Sequence, residues 1–133
     1  MIYLLDTNTC IGYLKGSVLN IRQKLQELSP TDVAVCSIVK AELFYGAMKS
    51  RNPTQALQRQ RDFLNQFVSL PFDDDATLVY AQIRARLESL GTPIGAYDLQ
   101  IAAIALAHNL IVVTHNTREF NRVEGLAIKD WEV

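Results

Sequence analysis

The sequence has only two cysteines, Cys10 and Cys36, and no Cys-x-x-Cys spacing. Neither a thiolate zinc site nor a disulfide framework follows from such a pair. Charge of one sign is also missing: 13 Lys and Arg against 14 Asp and Glu leave a net charge of −1. That excludes a protein that coats nucleic acid through bulk basicity. No apolar run approaches the roughly 20 residues of a membrane span, so no membrane association is expected. The opening Met1-Ile2-Tyr3-Leu4-Leu5 lacks a basic leader and is cut short by Asp6, unlike a secretory signal. Repeats, low-complexity tracts and linkers are absent. These absences point to a soluble protein of a reducing compartment, most simply the cytoplasm. What remains is 133 residues, 49% hydrophobic and 20% charged, the profile of one domain spanning residues 1–133 with a core that needs no covalent staples.

The apolar pattern alternates between short runs and helical stripes. Ile2 to Leu5, Val33 to Cys36 and Leu110 to Thr114 are continuous apolar segments, as in strands buried on both faces. A last short strand is expected near Leu126 to Lys129. Helices are predicted from about Asn8 to Leu14 and Val18 to Leu28, from Ser37 as an N-cap to about Lys49, and from Pro53 to about Val68. Two more are predicted from Asp73-Asp74-Asp75 to about Leu90 and from Tyr97 to His108. Leu70-Pro71-Phe72 is predicted as a connector with at most a short extended piece, and His115 to Asn121 as a polar loop. Strands alternating with helices imply an α/β fold, a central parallel β-sheet with helices on both faces. In such a sheet ligands sit beyond the carboxyl ends of the strands.

Most acids have an ordinary place. Glu88 follows Arg84 by four residues, Asp62 lies among polar neighbours at helical spacing, and Asp73 to Asp75 open a helix. Three do not. Asp6 ends the first apolar strand. Glu42 shares its helical face with Ile38, Val39, Tyr45 and Gly46. Asp98 shares its face with Ile94, Gly95, Ile101 and Ala102. None has a Lys or Arg on the same face, and an ionised carboxylate buried without a partner costs several kcal/mol. A shared divalent cation would compensate all three, and oxygen-only ligation suits Mg²⁺ or Mn²⁺ rather than zinc. Thr114 and Asn116 follow the third strand, and Asn8 follows Asp6 by two residues. Each adds a polar group at the same rim, though turn and cap roles would also account for them. His115 stands next to this rim, where a solvated loop position is the simpler reading.

The sequence resembles the PIN-domain ribonucleases, and in particular the VapC-type toxins of bacterial toxin–antitoxin pairs. The resemblance is carried by Tyr3-Leu4-Leu5-Asp6-Thr7-Asn8, by Ala41-Glu42-Leu43 with Tyr45-Gly46, and by Ile94 to Ala103 around Asp98. Val113 to Phe120 and Lys129-Asp130-Trp131 complete it. It implies a PIN-like parallel-sheet domain, a Mg²⁺- or Mn²⁺-dependent acidic pocket, and endonucleolytic cleavage of RNA, with tRNA a frequent substrate of such toxins. It also implies dimers, higher toxin–antitoxin assemblies and inhibition by a cognate VapB-type antitoxin. By position, Asp6, Glu42 and Asp98 match the family's three acids, Asn116 falls where many members place a fourth acid, and Thr114 matches a polar position.

On this reading Asp6 and Asp98 are the main metal ligands, and Glu42 ligates metal or orients the attacking water. Asn8 and Asn116 hold a water on the metal or the ligands around it. Lys49, Arg51, Arg59, Arg61, Arg84, Arg86, Arg118 and Arg122 are the candidates for phosphate contacts, with Arg118 preferred for RNA or antitoxin. An antitoxin groove is expected around Ile11, Tyr13, Leu14, Leu57, Phe63, Leu64 and Phe67, and a dimer contact on the long helix from Asp74 to Leu90. Two rivals are a haloacid-dehalogenase-type phosphatase, which would place an acid where Asn8 stands, and a non-catalytic PIN-like RNA-binding scaffold.

Overall fold

The structure, a computed structural model, describes residues 1–133. Its strands are β1 (Tyr3–Leu5), β2 (Val33–Cys36), β3 (Val68–Leu70), β4 (Ile111–Val113) and β5 (Ile128–Lys129). Its helices are α1 (Thr7–Lys15), α2 (Leu19–Glu27), α3 (Ser37–Met48), α4 (Pro53–Leu64), α5 (Asp74–Ser89), α6 (Ala96–Ala107) and α7 (Thr117–Phe120). All strands are parallel, in the order β3-β2-β1-β4-β5. No helix is long and apolar enough to cross a membrane.

Right-handed crossovers moving from β1 to β3 put α1 to α4 on one face, and the return from β3 to β4 puts α5 and α6 on the other. Within each layer the packing agrees, α1 lying against α2, α3 and α4, and α5 against α6; α3 also touches α6. Covering both faces explains the unbroken apolar strands. Leu4, Leu5, Val33, Val35, Val112 and Val113 are all essentially buried. The strand order reverses at β1, between β2 and β4. The crevice beyond the carboxyl ends of β1 and β4 is therefore where a ligand belongs. Leu5 pairs with Val113, so the next residues, Asp6 and Thr114, meet in that crevice.

Three boundaries differ from the sequence pattern. Ser37 is the first residue of α3, and Cys36 holds the cap position without a side-chain cap. The α4 helix stops at Leu64, because Phe63 and Leu64 are buried and the chain then turns to pair Val68 with Ala34. The segment after β4 is not all loop: α7 forms over Thr117–Phe120, anchored by the fully buried Phe120. Truncating such an aromatic costs about 3–5 kcal/mol.

Candidate active site

Asp6 is buried to 3% exposure at the N-cap of α1, where its Oδ1 accepts the Thr9 amide at 2.8 Å. The nearby Thr114 hydroxyl also favours its charged form. Thr9 is fixed in turn, its hydroxyl donating to the Val113 carbonyl at 3.1 Å. These bonds favour the carboxylate, but burial outweighs them and raises the Asp6 pKa above its ordinary value. Glu42, on α3, accepts the Thr7 hydroxyl on Oε1 at 2.7 Å. One carboxylate oxygen is thereby oriented and the other left for a ligand.

Asp98, in the first turn of α6, is pushed up to about 6. Burial is the largest cause, followed by the charge of Asp6, a hydrogen bond to Glu119, and the charges of Glu119 and Glu42. Asp98 thus lies within electrostatic reach of Asp6, Glu42 and Glu119, in a recess at the carboxyl edge of the sheet. The molecule's ion pairs are Arg84–Glu88, Arg86–Glu124, and His115 with Asp130 and Glu132. None of them includes a recess acid, though the His115–Asp130 pair lies close enough to feel Asp6. Like charges gathered without a cationic side chain make a site that favours either protons or a divalent cation. Its donors are all oxygens, which fits Mg²⁺ or Mn²⁺.

Glu119 is the acid that the sequence reading missed. Asn116, at the N-cap of α7, is not a fourth acid but holds one. Its Nδ2 donates to Glu119 Oε2 at 3.0 Å, and its backbone amide donates to Thr114 Oγ1 at 2.9 Å. The available signal was the spacing Asn116-x-x-Glu119, a cap and an acid three residues on, which marks a helix start. Phe120 enters the core while its neighbour Glu119 faces the recess.

Other expectations shift. Asn8 is exposed on α1 and has no hydrogen bond to the carboxylates; Thr7 and Thr9, on either side, make those contacts. Tyr45 is 64% exposed, so the inward face of α3 is Val39, Leu43 and Ala47, and Glu42 lies beside it, not within it. Arg118 is exposed on α7. Glu42 also borders a cleft of about 440 Å³ between α1, α3 and α4, lined by Ile11, Leu14, Leu43, Ala56, Arg59 and others. Phe63 and Leu64, expected in such a groove, are buried, with Tyr13 stacked on Phe63 at 4.4 Å.

Residues 3–126 match the PIN domain family. The chain belongs to the PIN-domain family. Within it, the chain is 41% identical over 129 residues to the tRNA(fMet)-specific endonuclease VapC of Salmonella typhimurium, covering 97% of each chain. It is 36% identical over 133 residues to ribonuclease VapC2 of Rickettsia felis, covering 99% of each. A chain of the DNA-bound VapBC from Salmonella typhimurium superposes with a TM-score of 0.93 at 40% identity, covering 98% of both chains. The PIN fold, with its parallel sheet and flanking helices, accounts for the architecture above, and the phosphatase reading is set aside.

Proposed function

We propose that this PIN-domain chain, residues 1–133 as one domain, is an endoribonuclease toxin neutralised by a VapB-type antitoxin. Its reaction is hydrolysis of RNA phosphodiester bonds, and tRNA is the substrate class that its relatives' names favour. The observation that carries the reading is the placement of Asp6, Glu42, Asp98 and Glu119 about the carboxyl ends of β1 and β4, with no Lys or Arg in an ion pair with any of them. Such a recess repels phosphate on its own, so a divalent cation has to bind before or with the RNA.

Asp6, Asp98 and Glu119 would hold Mg²⁺ or Mn²⁺, with Glu42 as a further ligand or as the group that orients the attacking water. A bound divalent cation supplies charge stabilisation of the phosphoryl oxygens and lowers the pKa of water. Thr7 fixes the rotation of Glu42, Thr9 fixes Asp6, and Asn116 fixes Glu119. Asn8 contributes at the rim only. Arg118 offers an exposed cation beside the recess to an RNA phosphate or an antitoxin carboxylate. The cleft bordered by Glu42, with Ile11, Leu14 and Leu43 beside Lys15 and Arg59, suits an amphipathic antitoxin segment, and α5, with Leu78 64% exposed, suits the contact of a homodimer. Cytoplasmic residence follows from the tRNA substrate.

The test is incubation of the purified, antitoxin-free protein with total RNA, with Mn²⁺ or with EDTA, and mapping of the cleaved ends. Discrete cleavage with Mn²⁺ that EDTA abolishes is expected. Equal cleavage in EDTA, or none under either condition, overturns the reading.

A further inference from the structure

Beyond the recess, a second set of ligand atoms converges where β4 and β5 end. The pairing of Val113 with Lys129 sets the ends of these strands side by side, and His115 then meets Asp130 and Glu132. His115 Nδ1 lies 2.9 Å from Asp130 Oδ2 and 3.7 Å from Glu132 Oε2. The three ligand atoms all fall within 4.8 Å of one another. Donors bound to a common ion at about 2.0–2.2 Å are separated by roughly 3.0–3.5 Å, so small rotations would close the set.

Local order supports the arrangement. Trp131 is buried to 6% exposure with its ring edge-on to Tyr3 at 5.2 Å. Its neighbours Asp130 and Glu132 flank it on the chain and both reach His115. Asp130 Oδ1 accepts the Glu132 amide at 2.9 Å, which turns Oδ2 to the imidazole. The Asp130 side chain is only 15% exposed, yet no Lys or Arg pairs with either acid. Two carboxylates therefore share a single ring nitrogen, and the set stays negative even with the imidazole charged.

We propose that His115 Nδ1, Asp130 Oδ2 and Glu132 Oε2 form a second divalent-cation site, of nitrogen–oxygen composition, that prefers Zn²⁺ or Co²⁺ to Mg²⁺. Imidazole shifts preference toward the borderline ions, whereas the all-oxygen recess suits Mg²⁺ or Mn²⁺. Three protein ligands leave the remaining positions to water. An ion there pins the C-terminal segment to the turn that leads into α7, the helix capped by Asn116 and carrying Glu119, and so braces one wall of the recess. The proposal stands whether or not the recess cleaves RNA.

Trp131, the single tryptophan of the chain, lies between two of the ligands in sequence and reports on them directly. In an Asp6→Asn/Asp98→Asn/Glu119→Gln variant the recess no longer competes. Co²⁺ is titrated into it at about pH 8, where protons compete less for the imidazole. The expected result is saturable 1:1 quenching of Trp131 with a visible ligand-field band, and no response to Mg²⁺ at the same concentration. Adding His115→Ala should weaken Co²⁺ binding at least about tenfold. Should the triple variant fail to fold, the same titration is made on the wild-type chain with Mg²⁺ in excess to fill the recess. Absence of saturable quenching, or quenching that His115→Ala leaves unchanged, means that the cluster is an ion pair only and overturns the proposal.

Discussion

Two sets of carboxylates sit on the carboxyl edge of one sheet, close enough that Asp130 contributes to the upward shift of Asp6. They are treated in opposite ways. The tail acids Asp130 and Glu132 surround His115, whose pKa they raise, Asp130 by accepting a hydrogen bond from the imidazole and Glu132 by its charge. The recess acids Asp6, Glu42, Asp98 and Glu119 have hydroxyl and amide partners but no cationic one. The first set is partly neutralised by the chain itself, through one shared imidazole. In the second, helix ends and packing hold like charges together at a cost in stability, and that cost is what a cation would relieve. Unneutralised charge, more than acid count, marks the reactive place.

The sharpest way to break the contrast is to neutralise one acid from each set. Asp6→Asn or Asp98→Asn should lower RNA cleavage at saturating Mn²⁺ by at least about 100-fold, while Asp130→Asn, which removes only a brace on the recess wall, costs far less. Equal losses in a gel-based cleavage assay would erase the distinction. Glu119→Gln should cost less, about 10–100-fold, with Mn²⁺ affinity measured by calorimetry falling in parallel. A wild-type rate in that variant removes Glu119 from the recess chemistry.

Stability should separate the sets by pH, measured as Tm in EDTA. The folded Asp98 carboxyl, at about 6 against 3.8 when unshifted, keeps a proton that the unfolded chain has lost. Stability therefore falls as pH rises from about 4 to about 6, by on the order of 1 kcal/mol after allowance for solvent screening of a half-exposed group. Asp98→Asn should flatten that window and raise Tm near pH 7, even as it abolishes cleavage. The contribution of His115 is fully present below its unfolded value of 6.5 and is lost as pH rises through the higher folded value. His115→Ala should flatten only this upper window. The smallest effect is expected on the surface: Arg118→Glu should weaken RNA or antitoxin binding severalfold in filter-binding or calorimetric titrations without moving Tm. Unchanged affinity for both removes Arg118 as a contact.

Much of this was legible from local pattern. Asp6 at the end of an apolar run, the lone acids Glu42 and Asp98, the Arg84–Glu88 pair and the Asp73 cap follow from spacing alone, and the pair and cap are present at 2.9 and 3.0 Å. Glu119 was not found, because residues 115–121 carry only one buried apolar side chain, Phe120, and a single anchor has no period. Asn8 and Tyr45 were assigned by their distance from an acid, whereas helix rotation turns both to solvent.

The amino-acid sequence by itself determined the alternation of strands and helices and which strand ends carry acids, since these depend on neighbours a few residues apart. Only the tertiary structure decided which acids share a field. That depends on the order β3-β2-β1-β4-β5, which sets Asp6 beside Thr114 and brings Asp98 to Glu119. Such contacts are settled by the packing of whole layers, and no local spacing encodes them.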